Sequence, residues 1–259
     1  MAKKGWALIT GASSGLGRDF VMALAEQGWN VVLTARRAEP MERLADEVRS
    51  RHKVQAHVEA LDLAAEGAAA QLKSRLDARD IAIGTLVNNA GHGLTSEFLD
   101  APVEGINAML RLNVVGLTEV THVFANDMAR RGGGKVMLVA SVAAFQPCPR
   151  FAAYAATKAY VLSLGEALHT EFKARNVVVT VLSPGVTDTG FFDAAGEPPN
   201  AMMKRMMMKP REVVDVGLAA MAAGRSGVVA GRANRVMVLL SRLFPRQQLS
   251  RITYRMAAT

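Results

Sequence analysis

A tyrosine and a lysine stand four residues apart, Tyr154-Ala155-Ala156-Thr157-Lys158, in a stretch patterned as a helix. That spacing puts both side chains on one helical face. A phenol keeps its proton at neutral pH and can hand it to a carbonyl oxygen. To take the proton back its pKa must fall towards the working pH, and a neighbouring ammonium favours the phenolate. Ser141 lies thirteen residues upstream, at the end of a strand-like run. From there its hydroxyl can hydrogen-bond the same oxygen. The Tyr-Lys pair alone is a common surface pattern, so its meaning depends on what accompanies it.

What accompanies it first is a phosphate loop. An apolar run ends in Thr10-Gly11-Ala12-Ser13-Ser14-Gly15-Leu16-Gly17, and a helical pattern starts directly. Glycines let the backbone turn tightly and approach a pyrophosphate, and a helix N-terminus offers free N–H groups to that anion. The spacing GxxxGxG differs from the general dinucleotide fingerprint. The second strand-like run ends Leu33-Thr34-Ala35-Arg36-Arg37, with no carboxylate to hold ribose hydroxyls. A guanidinium instead binds a 2′-phosphate through paired hydrogen bonds, which points to NADP(H), with Arg36 the first choice for that contact and Arg37 the second.

These residues need a frame. Seven short Val/Ile/Leu-rich runs read as strands: Ala7–Ile9, Val31–Thr34, Val54–Val58, Leu86–Asn88, Lys135–Ala140, Val177–Leu182 and Val228–Ala230. Mostly apolar on both faces, they suit parallel strands covered on both sides. Helical patterns alternate with them: Leu16–Gln27, Met41–Ser50, Ala65–Ala78, Val103–Arg130, Ala153–Lys173 and Arg211–Ala223. The expected fold is a single α/β domain over 1–259, doubly wound and Rossmann-like, with about seven parallel strands flanked by helices. Two segments stand outside the alternation. One is a loop at about 186–209, with Gly196, Pro198 and Pro199 followed by a methionine cluster, which reads as a lid leading into a short helix. The other is a basic helical extension at about 233–256.

The chain has 259 residues, half of them hydrophobic, so it can bury a large core. A single cysteine, Cys148, excludes an internal disulfide and suits a reducing compartment. No apolar run approaches the roughly 20 residues of a membrane span, and the expectation is a soluble, cytoplasmic protein. The net charge of +8 gathers at one end: after Asp215 there are seven arginines and no acidic residue. Nucleic acid is a poor partner for a chain with 5% aromatics and no recognisable binding motif. No histidine has the spacing of a zinc site, so no metal is expected.

In this order the motifs resemble those of the short-chain dehydrogenase/reductase family, over nearly the whole chain: the glycine loop, Asp62-Leu63, Asn88-Asn89-Ala90-Gly91, Asn113, Ser141, Tyr154 with Lys158, and Pro184-Gly185 followed by Thr189. The resemblance implies hydride transfer between NADP(H) and a ketone or secondary alcohol. Tyr154 would be the acid in reduction and the base in oxidation. Lys158 would bind the nicotinamide ribose and lower the Tyr154 pKa, and Ser141 would orient the carbonyl. Asn113 would hold a water linking Lys158 to solvent. Gly11, Ser13, Ser14, Gly15, Leu16 and Gly17 would cradle the pyrophosphate. Asp62 and Leu63 would flank the adenine, and Asn89, Ala90 and Gly91 the ribose. Pro184, Gly185, Thr187 and Thr189 would position the nicotinamide; the family usually has Val or Ile where Thr187 stands. Family members commonly form dimers or tetramers through the fourth and fifth helices, and a homo-oligomer is expected.

The pocket candidates are His92, Val142, Phe145, Gln146, Cys148, Phe151, Val186, Phe191, Phe192, Met202 and Met206, with Met203, Met207 and Met208 as further wall. This favours a bulky hydrophobic substrate, since methionine adapts to varied apolar shapes. The methionines could equally pack a lid helix or a subunit contact. A reductase of an acyl-thioester-linked or steroid-like ketone is an alternative of the same chemistry. A cofactor-bound sensor or scaffold without turnover is one of a different class. In the extension, Val236, Leu240, Leu243 and Phe244 fall roughly on one face and Arg235, Arg242 and Arg246 nearer the other, with Pro245 kinking or dividing it. Such a helix packs over the active-site mouth or against a subunit, the favoured reading because amphipathic helices usually face a core, or lies on an anionic membrane.

Overall fold

A computed structural model of the chain describes residues 4–196 and 200–257; Pro198 and Pro199 lie outside them. Seven strands form one parallel sheet: β1 Trp6–Thr10, β2 Asn30–Ala35, β3 Ala56–Ala60, β4 Ile83–Asn88, β5 Gly134–Val139, β6 Val177–Ser183 and β7 Gly227–Val229, in the order β3-β2-β1-β4-β5-β6-β7. Because strand side chains alternate in direction, each of the five inner strands feeds two cores. Ala7 and Ile9 point to one face with Leu33, Val87, Met137 and Leu182. Helices α1 Gly15–Glu26, α2 Ala38–His52 and α9 Pro210–Ala222 cover that face through Phe20, Leu24, Met41, Val48, Val214 and Leu218. Leu8, Val32, Leu86, Val136 and Val181 point to the other. It is covered by α3 Ala68–Asp77, α5 Leu117–Arg130 and α6 Ala152–Glu171 through Leu72, Leu76, Phe124, Met128 and Val161.

The expected long helix over Val103–Arg130 is not one uniform helix. It runs as α4 Val103–Leu110, a π-helical turn Arg111–Gly116, and α5. Such π turns concentrate at functional sites, and this one carries Asn113. The expected lid holds two short helices rather than one, α7 Phe191–Ala194 and α8 Ala201–Met206. The basic extension is divided near Pro245 into α10 Arg232–Ser241 and α11 Arg246–Ala257.

The strand order reverses at β1, between β2 and β4. The carboxyl ends of β1 and β4 therefore diverge into a crevice, which is where open parallel sheets bind ligands.

Candidate active site

The crevice is a cleft of about 900 Å³ that runs from the glycine loop to the C-terminal helices. Thr10 and Asn88 hold its floor. The Thr10 hydroxyl donates to Asn88 Oδ1 at 3.1 Å and accepts from the backbone N–H groups of Asn89 and Ala90 at 2.9 and 2.8 Å. Asn88 Nδ2 in turn donates to the Leu117 carbonyl and the Thr121 hydroxyl. A threonine at a strand end looks ordinary in sequence; only the fold shows that Thr10 locks two strand ends together.

Gly11, Ser13, Ser14, Gly15 and Leu16 line the cleft. Gly15 has φ +53°, which favours glycine. Gly17 does not line the cleft: it is buried, and a Cβ there would run into the Gly11 carbonyl, so its role is close packing of helix on loop. No side chain caps α1 at Ser14, which leaves its first N–H groups for an anion. Arg36, Arg37, Asp62, Leu63, Asn89, Ala90 and Gly91 line the same end. Among the described residues no carboxylate is ion-paired to Arg36 or Arg37. A glycine cradle and an uncapped helix end, with two guanidinium groups beside them, fit a phosphate-bearing dinucleotide.

The chemistry-bearing residues meet in the middle. Ser141 follows β5 and accepts from the Ala143 N–H at 3.1 Å, which fixes its rotamer at the start of a 3₁₀ turn, Val142–Phe145. Its hydroxyl lies close enough to the Tyr154 phenol to lower that group's pKa. Lys158 Nζ donates to the Val139 carbonyl at 2.8 Å and lies 5.8 Å from the centre of the Tyr154 ring. Burial pushes the phenol up to about 12, against the Ser141 hydroxyl that lowers it. Burial also brings the ammonium down to about 8. Lowering of the phenol pKa by Lys158 is thus not what this state displays: burial dominates, and Lys158 is not among the groups that shift the phenol. The phenol is held fully protonated, ready to donate.

Asn113 is a brace behind these groups. Its Oδ1 accepts from the His92 N–H at 3.1 Å, and its Nδ2 donates to the His92 carbonyl and the Thr157 hydroxyl at 2.9 and 3.2 Å. Both amide hydrogens are engaged, and the residue is buried rather than cleft-lining. Thr157 passes the restraint on, donating to the Tyr154 carbonyl at 2.7 Å. Gly91 stands between Asn113 and Lys158: an added Cβ would lie 3.0 Å from Asn113 Oδ1 and 3.5 Å from Lys158 Nζ.

Pro184, Gly185, Thr187 and Thr189 line the cleft beyond Ser141. Thr187 is buried, with its hydroxyl on the Gly185 carbonyl at 3.0 Å. On the substrate side His92, Val142, Gln146, Cys148, Phe151, Val186, Phe191, Phe192, Met203 and Met206 are in the wall. Burial lowers the His92 pKa, with Arg36 adding to the shift. Burial also pushes the Cys148 thiol up to about 11, which keeps it inert. The rings of Phe151 and Phe191 stand 6.0 and 5.3 Å from that of Tyr154, centre to centre, and Phe192 packs on both. The reacting end of the cleft is therefore apolar.

Three pocket expectations are corrected. Phe145 is not in the wall: the chain becomes extended at Gln146, so Gln146 and Cys148 share the cleft face and Phe145 does not. Met207 and Met208 are not in it either, because the chain leaves α8 there and runs back alongside Val186–Asp188. The Met208 N–H donates to the Val186 carbonyl at 2.9 Å, and the Met208 side chain packs on the core. The Met202 side chain lies outside those described.

The wall that sequence reasoning missed comes from the extension. Val236, Leu240, Phe244, Leu249 and Ile252 all line the cleft. The Thr253 hydroxyl donates to the Pro147 carbonyl at 3.0 Å, and that of Tyr254 to Glu97 Oε1 at 3.2 Å, tying α11 over the mouth. The amphipathic pattern left the active-site mouth and a subunit contact both open as partners, and the fold places these wall residues at the mouth. No group of three or more His, Cys, Asp or Glu among the described residues could hold a metal ion.

Comparison with known proteins agrees with this geometry. A family model described as short chain dehydrogenase matches residues 5–200. The chain is 33% identical over 187 residues to human 17-beta-hydroxysteroid dehydrogenase type 3, covering 71% of this chain and 59% of that protein. It is 32% identical over 184 residues to a very-long-chain 3-oxoacyl-CoA reductase of Aspergillus fumigatus, covering 70% and 53%. The chain thus spans little more than half the length of these relatives. Among solved structures, a short-chain dehydrogenase from Sphingobium yanoikuyae in complex with NADPH superposes with TM-score 0.82 at 29% identity, covering 95% of each chain. A bulky-bulky ketone specific alcohol dehydrogenase from Comamonas testosteroni superposes with TM-score 0.79 at 30% identity, covering 96% and 94%. With the family model spanning β1 to β6, from before the glycine loop to well past the Tyr154–Lys158 pair, the chain belongs to the short-chain dehydrogenase family of oxidoreductases.

Proposed function

We propose that the chain reduces a bulky, hydrophobic ketone, or oxidises the matching secondary alcohol, with NADP(H) as partner. The observation that carries this is geometric: Tyr154, Ser141 and the buried Lys158 meet at the apolar end of a cleft whose other end is lined by the glycine loop, Arg36 and Arg37. When bound, NADPH supplies the hydride that goes to the carbonyl carbon. Ser141 holds the carbonyl oxygen, and Tyr154 gives that oxygen its proton as the C=O bond becomes C–OH. In the oxidative direction Tyr154 takes the proton back. Lys158 holds a positive charge that stabilises the phenolate left behind. Arg36, with Arg37 beside it, binds the 2′-phosphate, and Asn113, through Thr157 and the His92 backbone, keeps the first turn of α6 in place.

A large apolar cleft supports the bulky substrate, and the bulky-ketone dehydrogenase among its structural neighbours adds to that support. A second reading, a steroid-like or acyl-thioester-linked ketone, is favoured by the relatives at 32–33% identity. The exposed Leu110, Val115 and Tyr160 of the fourth-to-sixth helices support a homo-oligomer, most simply a tetramer. The test is loss of the near-ultraviolet absorbance of the reduced nicotinamide, with NADPH and NADH in parallel, over a panel of ketones and 3-oxoacyl thioesters. Tyr154→Phe is the control. Turnover of bulky ketones with NADPH that the control lacks supports the reading. NADPH binding without turnover of any carbonyl would return the protein to the sensor class.

A further inference from the structure

Helix α10 turns its more apolar stripe outwards. Val236, Leu239 and Leu240, with Leu243 one turn on, follow the i, i+3, i+4, i+7 spacing of one helical face. They are 56%, 61%, 47% and 72% exposed. The positions it buries are Asn234, Val238 and Ser241. Phe244, Ile252 and Tyr254 extend the exposed apolar surface onto α11. A contiguous patch of this kind marks an interaction surface. The expectation that the apolar face of the extension would face a core therefore holds only in part: the helix covers the cleft with the edge of that face and leaves the rest in solvent.

Two further observations say what the patch meets. First, it is continuous with the mouth of the cleft: Val236, Leu240, Phe244 and Ile252, with Met206 of α8, are exposed and line the cleft at once. Second, it is bordered by cations. Arg232, Arg235, Arg242, Arg246 and Arg251 are exposed on the same two helices, and Lys204 and Arg205 on α8. No acidic residue follows Asp215. The extension lies beyond the residues that the family model matches.

We infer that this rim rests on an anionic lipid bilayer, with the cleft opening towards the lipid that holds its hydrophobic substrate. The inference rests on the reading of the cleft as a site for such a substrate. A bilayer surface offers both complements the rim requires, headgroup charge for the arginines and an apolar interior for the leucines beneath them. A second copy of the chain offers only the apolar complement. Across a two-fold axis the same patch meets itself, and arginine would oppose arginine with no carboxylate in the segment to pair them. The contact is interfacial, since no described helix is long and apolar enough to cross a membrane.

The experiment is vesicle flotation of the full chain on phosphatidylcholine with or without phosphatidylglycerol. It includes the paired variants Leu239→Ser with Leu243→Ser, and Arg242→Glu with Arg246→Glu. None of these four residues lines the cleft, so both pairs should reduce a water-soluble ketone as the unmodified chain does. The expected result is roughly tenfold more binding to the anionic vesicles, reversed by salt, and loss of most of that binding in both pairs. Salt reversal needs no variant and stands even if a pair fails to fold. Equal binding to both vesicle types, or full binding by the leucine pair, would overturn the inference. So would a fall in assembly size on light scattering in the leucine pair without vesicle binding by the parent chain, which would make the patch a subunit contact. Binding to soluble polyglutamate that matches vesicle binding and ignores the leucine pair would point to an acidic protein instead, and also overturns it. Flotation without reduction of any ketone would sink the proposed activity while leaving the docking face standing.

Discussion

Lys158 is bound to the end of β5 by one hydrogen bond: its Nζ donates to the Val139 carbonyl at 2.8 Å. A buried ammonium held this way is charged at neutral pH but gives up its proton near pH 8, well below the ordinary lysine value. The Tyr154 phenol, raised to about 12, stays protonated throughout that range. Carbonyl reduction should therefore be level through neutral pH and decline above about 8, as the charge beside the departing proton disappears. A rate profile in NADPH-saturated enzyme checks this; a limb near 10 instead would assign the titration to the phenol.

The same shift has a stability consequence. In the folded chain Lys158 deprotonates near 8, whereas unfolded it keeps its proton to the ordinary lysine value of 10.5. Between those values the unfolded chain holds more protons, so this group makes stability rise with pH across that window. Lys158→Met should abolish that rise in thermal melts, and should cost at least about 100-fold in turnover.

Arg36→Ala should raise the KM for NADPH roughly 10- to 100-fold, matching the loss of a charge-assisted hydrogen bond of about 1.5–3 kcal/mol. The KM for NADH should stay within about twofold, because no 2′-phosphate is then present. Steady-state kinetics with both cofactors decides it. An equal effect on both would make Arg36 a general support of the loop, and Arg37 would take its place as the phosphate contact.

Asn113→Ala removes an amide that serves His92 and Thr157 in a buried setting. Leaving those groups unpaired should cost about 1–3 kcal/mol of stability, read as a lower urea midpoint with unchanged slope. Turnover should fall as well, since Tyr154 loses a support two hydrogen bonds away.

Met206→Ser combined with Phe244→Ala shortens the apolar wall on both sides of the mouth. The kcat/KM for a ketone with two bulky groups should drop about tenfold or more, and that for a small ketone should change little. Equal losses on both substrates would mean that these side chains hold the lid in place and do not read the substrate.

Much of this was legible in one dimension. Strand–helix alternation and double-sided apolar runs specify the doubly wound sheet, because each short run can be buried only between two helical layers. The glycine loop, Arg36 and the Tyr154–Lys158 spacing are local patterns whose chemistry follows from residue type and helix periodicity. What the tertiary structure decided are relations between distant segments. The turn carrying Asn113 is π-helical, which no propensity pattern reveals, and its amide meets Thr157 forty-four residues on. Thr10 became the clasp of two strand ends only once β1 and β4 lay side by side. Phe145 and Met208 looked like Gln146 and Met206 in sequence, and one backbone change at each site turned them from the cleft. The extension was visible as amphipathic, but a helix's pattern shows only that it has two faces. Which face is buried depends on what the fold places beneath it, and here that is the mouth of the cleft.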